Sequence, residues 1–184
     1  MPRRYREFIY ALIVIAAVTA FYVVAYQNAS AFPNASGLVG HGIGVAGFVL
    51  MLLTATLYSL RKLSTDARWG STAAWLRFHM VTGLVGPYMV LLHTAMRFSG
   101  LAGLAMALTA VVTVSGLVGR YIYTRVPRAA AAVAGGDPAP EGLLLHRRRA
   151  LATWRSIHVP LTWVLFAVAF IHVVAALYYA TLQR

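Results

Sequence analysis

The chain has 184 residues, of which 60% are hydrophobic and 11% charged; 16 Lys and Arg oppose 4 Asp and Glu, for a formal net charge of +12, and cysteine is absent. Soluble domains carry roughly 25% charged residues, so this composition argues against a soluble globular enzyme. It also argues against a nucleic-acid binder, whose basic residues must line a surface that faces water. The missing cysteines exclude disulfides, Cys-ligated zinc, iron–sulfur clusters and covalently attached c-type haem within these residues.

Apolar bulk with an excess of arginine suits a membrane, with the charges held in loops. Crossing a hydrocarbon core of about 30 Å takes about 20 apolar residues in a helix. Five stretches qualify. The predicted fold class is an all-α integral membrane bundle of five transmembrane helices, at about 8–26, 38–60, 72–96, 101–123 and 157–179, forming one membrane domain over 1–184. The first stretch follows Arg3, Arg4 and Arg6 as a signal peptide would. Its apolar run exceeds the usual 7–15 residues of such a leader, so it reads as a membrane helix. The next loop contains two N-x-S sequons, at Asn28 and Asn34.

The second stretch contains Gly42, Gly44 and Gly47, which spell G-x-G-x-x-G. A dinucleotide fingerprint needs a strand before it, a helix after it and an acidic residue about 20 positions on. Here the glycines lie inside an apolar span and position 61 is Arg. Gly40 and Gly44 form G-x-x-x-G, which predicts close helix packing instead. Between the fourth and fifth stretches, residues 129–154 read as a flexible basic cytoplasmic loop. Its first half is an Ala, Gly and Pro stretch of low complexity. Its second half, LLLHRRRALATW, suits either a short amphipathic helix on the lipid surface or a solvated loop.

The arginines give the orientation. Arg3, Arg4 and Arg6, then Arg61, Lys62, Arg68 and Arg77, then Arg120, Arg125, Arg128, Arg147, Arg148, Arg149 and Arg155 make 14 of the 16 basic residues. With five spans all of these fall on one side, together with the four acids Glu7, Asp66, Asp137 and Glu141; only Arg97 and Arg184 fall on the other. The positive-inside rule then predicts a cytoplasmic N-terminus and a periplasmic or outside C-terminus.

Four of the six histidines form a pattern. His79 and His93 are 14 residues apart in the third stretch, and His158 and His172 are 14 apart in the fifth. Fourteen residues turn a helix to within about 40° of four full turns and rise about 21 Å. Each helix therefore presents one histidine near each membrane surface, on nearly one face. The two helices run parallel, which puts His79 with His158 at the cytoplasmic end and His93 with His172 at the outer end. Two stacked His–His pairs are what bis-histidine ligation of two haem irons requires. Copper or zinc would want further ligands close by, and the spans offer little besides histidine. The bland alternative is interhelical hydrogen bonding by these side chains. Gly83 and Gly86, on the His79 face, would leave room for a flat macrocycle. Arg77, Arg155 and Arg97 are candidate propionate partners, or serve only topology and snorkelling. His41 suits a quinone pocket, a proton relay or a bond to a backbone carbonyl. His146 reads as a solvated loop residue.

On these residues the chain resembles the two-haem transmembrane cytochromes b, especially the ferric reductase-like transmembrane domain and its bacterial respiratory relatives. The resemblance rests on the paired spacing and on WLRFHMVTGLVGPYMVLLH, WRSIHVPLTWVLFAVAFIH and SGLVGRYIYTRVPR, and covers roughly residues 38–179. It implies two non-covalent b-type haems, with His79 and His158 on the cytoplasmic-side iron and His93 and His172 on the outer-side iron. It further implies a bacterial inner (cytoplasmic) membrane protein that conducts electrons. No FAD- or NADPH-binding stretch lies within these residues. The expected role is therefore an electron-transfer subunit, with quinone or quinol at one end and an iron–sulfur, flavin or c-type cytochrome subunit at the other. The alternatives are a stand-alone transmembrane ferric or oxygen reductase and, from another class, a structural or assembly subunit without haem. Membrane lipid is an expected partner and nucleic acid is not.

Overall fold

A computed structural model of the chain describes residues 6–28, 37–64, 70–134 and 141–182; at 28, 125–134, 141, 143, 144, 147, 180 and 181 only the backbone is described. Within these residues the chain is all-helical. Its five helices are α1 (Arg6–Asn28), α2 (Leu38–Leu63), α3 (Thr72–His93), α4 (Gly100–Ala134) and α5 (Glu141–Leu182). Among the described residues four helices are long and apolar enough to cross a membrane: α1, α2, α4 and α5. α3 falls outside that group although its 22 residues would reach about 33 Å. It carries Arg77, His79 and His93, and Pro87 in its interior, and these residues dilute its apolar character.

The chain divides into two compact units, Met1–Phe98 and Ser99–Arg184. In the first unit α3 packs against both α1 and α2. Ser71 caps its N-terminus, the hydroxyl accepting from the Ala74 N–H at 3.2 Å. The α2–α3 contact is close because glycines meet across it. A Cβ on Gly86 would lie 2.8 Å from Met51 Cγ, and one on Gly47 would lie 3.0 Å from the Gly86 carbonyl oxygen. Thr54 and Thr82 add a buried bond on the same seam. Thr54 Oγ1 donates to Thr82 Oγ1 at 2.6 Å, and Thr82 donates to the Phe78 carbonyl at 2.8 Å. On the other side of α3, Tyr88 and Thr19 of α1 share a 2.6 Å hydroxyl bond. Thr54→Val keeps the volume and removes the α2–α3 hydroxyl bond. We expect it to lower stability by about 1 kcal/mol, read as an earlier midpoint in denaturant titrations in mixed micelles; an unchanged midpoint would show that the bond contributes nothing.

In the second unit α4 packs on α5. Both helices run beyond the predicted spans. Residues 129–154, expected as a flexible loop, are helical at 129–134 and 141–154, and only 135–140 lie outside the described residues. Repeated Ala in 129–134 reads as low complexity, yet Ala is the strongest helix former. Of the two readings of LLLHRRRALATW, helix is the one observed. Large apolar side chains face outward on these helices, among them Leu12, Phe21, Leu104, Trp163 and Phe170, as lipid contact requires. The sequon residues after Asn28, and Arg3, Arg4, Asp66, Arg68, Asp137 and Arg184, lie outside the described residues.

Candidate functional site

His79 sits in the second turn of α3 and is half-buried; His93 is the last residue of that helix. Each gives its Nδ1 to a main-chain carbonyl of α2. His79 Nδ1 lies 3.1 Å from Thr54 O, and His93 Nδ1 lies 2.8 Å from Gly40 O. A carbonyl can only accept, so Nδ1 must carry the proton in both rings. A neutral imidazole holds one proton, which leaves Nε2 with a bare lone pair. Metal-ligating histidines are prepared in this way: the acceptor behind Nδ1 fixes tautomer and ring plane and raises the basicity of the ligating nitrogen. A carbonyl of α2 therefore stands behind a histidine at each end of α3.

Glycine makes room for the second of these rings. A Cβ on Gly44 would lie 2.6 Å from His93 Cγ and 2.7 Å from its Nδ1. The G-x-x-x-G of α2 thus receives an imidazole: Gly40 supplies the acceptor and Gly44 the space. Gly83 and Gly86 both border α2. Gly86 is buried against Met51 and Gly47 of α2, and a Cβ on Gly83 would meet Thr54 Cγ2 at 3.7 Å. Gly86 lets α3 approach α2, whereas a Cβ on Gly83 would make only ordinary contact.

Arg97 is also displaced from the expected position. The predicted third span ran to residue 96, but α3 stops at His93, and Ala95 and Met96 adopt positive φ of 45° and 61°. Thr94 drives the stop by turning its hydroxyl to the Leu91 carbonyl at 2.7 Å and accepting from the Met96 N–H at 3.2 Å. Arg97 consequently leaves the helical face of His93. Arg77, Arg97 and Arg155 are all exposed. Arg61, read from sequence only as topology, donates to the Gly70 carbonyl at 3.0 and 2.8 Å and to the Ser64 carbonyl at 2.8 Å, closing the loop between α2 and α3.

In the second unit, His158 and His172 are half-buried on α5, 14 residues apart. His158 Nδ1 lies 3.1 Å from Ser115 Oγ of α4, and the Trp154 ring stacks on the imidazole with centroids 4.9 Å apart. His41 is exposed at the start of α2, with its ring centroid 6.0 Å from that of His93. His146 is exposed on α5. Sequence reading passed over Thr54, Ser115 and Trp154, and gave Gly44 a packing role alone. The signals were present as a glycine one turn before or after an interacting position, in GHGIG and in SGLVG, but tertiary contact gave them meaning. No protein-family model matches the chain, and neither a curated protein nor a solved structure shows detectable similarity to it.

Proposed function

We propose that the chain is a b-type cytochrome of a bacterial inner membrane, crossing it five times with the N-terminus cytoplasmic and the C-terminus outside. It would hold one haem with His79 and His158 as ligands on the cytoplasmic side and a second with His93 and His172 on the outer side. The observation that carries this reading is the carbonyl behind Nδ1 at His79 and His93. Two Nε2 atoms thereby carry lone pairs about 21 Å apart along one helix. When bound, the two haems would supply one-electron exchange at iron.

The chain's own residues hold and orient. The Thr54 and Gly40 carbonyls keep two imidazoles in the ligating tautomer. Exposed Arg77 and Arg155 are candidate partners for propionates at the cytoplasmic interface. His41, beside His93, is the candidate partner for a quinone oxygen or a proton at the outer end. The protein then works as a subunit, exchanging electrons with quinone or quinol at one end and with another redox subunit at the other.

A spectrum of the purified protein tests the reading. Reduction by dithionite is expected to give b-type α bands and two haems per chain; a sample from haem-replete cells without such bands would sink the proposal. Reduction by a quinol analogue in the same cuvette is expected if the quinone link holds, and its failure would leave a quinone-independent relay.

A further inference from the structure

One turn of α4, residues 115–119, receives two aromatic side chains of α5. Trp154 Nε1 donates to the Ser115 carbonyl at 2.7 Å. A Cβ on Gly119 would collide with the Trp154 ring, so the indole is seated where only glycine leaves room. Trp154 is one turn before His158 on the same helix, and the two rings stack at 4.9 Å and 23°. The same serine meets the histidine through its side chain, Oγ to Nδ1 at 3.1 Å. Gly116 borders His158 Cε1, at 3.7 Å from where its Cβ would stand.

We infer that Ser115 and Trp154 are positioning residues for His158, setting the plane of its imidazole and the electron-donating strength of its Nε2. This rests on the haem reading above. The indole is fixed by its bond to the Ser115 carbonyl and by the Gly119 seat, and its face fixes the ring stacked upon it. The hydroxyl acts differently from the carbonyls behind His79 and His93. A carbonyl accepts only, whereas a hydroxyl either accepts from Nδ1–H or donates to a bare Nδ1. In the second arrangement the ring proton sits on Nε2 and closes it as a ligand. Ligation at Nε2 selects the first arrangement, with Nδ1–H donating to Ser115 Oγ. A hydroxyl pulls on that proton less than an amide carbonyl does, so His158 is a weaker donor than His79.

The test uses the full chain in detergent or nanodiscs, with redox titration of the α bands and electron paramagnetic resonance of the oxidised protein. The haem absent from His158→Ala identifies the site in question. Ser115→Ala is expected to raise the midpoint potential of that haem and leave the other unchanged, because an Nδ1–H without an acceptor makes Nε2 a poorer donor to ferric iron. Ser115→Thr is expected to restore the wild-type potential. Trp154→Phe keeps a ring and removes the indole N–H; it is expected to shift the g values of the same haem while haem content stays at two. Wild-type potentials and g values in both Ser115→Ala and Trp154→Phe would overturn the inference and leave the haem reading standing. So would equal shifts at both haems, or a Ser115→Thr variant that behaves like Ser115→Ala. Wild-type protein that binds no haem would overturn the reading and the inference together.

Discussion

His93→Ala is expected to reduce haem content from two per chain to one. An iron held by two imidazoles loses half of its protein ligation when one is removed, and methyl cannot replace it. The remaining site is spared because His79 lies about 21 Å away along α3, well beyond the 7–10 Å over which substitutions couple. His172→Ala is expected to give the same spectrum. Double variants then test the pairing itself. His93→Ala with His172→Ala removes both ligands of one iron, so one haem remains. His93→Ala with His158→Ala removes one ligand from each iron, so none remains. The reverse pattern, with a haem surviving in the second double variant and not in the first, would assign His93 to His158 and refute the parallel arrangement. Two haems surviving in His93→Ala would remove His93 from the ligand set.

Gly44→Ala is the second large effect expected, and it arises from a methyl group on a neighbouring helix. The His93 ring is trapped between the Gly40 carbonyl, which takes its Nδ1 proton at 2.8 Å, and the bare Cα of Gly44. The new Cβ would approach ring atoms to 2.6 and 2.7 Å, far inside contact distance. Either the ring leaves its acceptor or α2 moves off α3. Overpacking of this kind costs about 1–3 kcal/mol, which would correspond to about 5- to 150-fold weaker retention of the outer haem. Gly42→Ala is the control, since a Cβ there meets nothing within 4 Å. At that position alanine is expected to be neutral or to stabilise the helix by up to about 1 kcal/mol. Denaturant titration of haem-free protein reads the packing term, and haem content per chain reads the ligand term. Equal behaviour of the two variants in both measurements would show that Gly44 does not seat the ring.

Much of this protein is legible in its sequence. Apolar runs of about 20 residues identify helices, because in lipid each backbone polar group must be satisfied within its own segment; α1 and α2 agree with the predicted stretches to within about three residues. The histidine spacing is legible for the same reason, since a fixed rise and turn per residue convert positions 79 and 93 into one face and two heights.

The outcome is different where two elements meet. Sequence suggested that Gly86 makes room for a cofactor, and α2 fills that room with Met51. Sequence took the glycines of α2 for helix packing, which they serve, but did not show that the side chain packed on Gly44 is the His93 imidazole. It carried the third span past His93, and the Thr94 hydroxyl ends α3 there. It read 129–154 as loop, and helix extends into it from both sides. In sequence alone, then, this chain is a set of apolar helices, two of which each carry two histidines 14 residues apart. Only the tertiary structure decides that Thr54 and Gly40 stand behind two of those histidines and that Ser115 and Trp154 hold a third. Periodicity along one helix follows from local backbone geometry, whereas the partner of a ring nitrogen is set by which helix packs alongside and at what register.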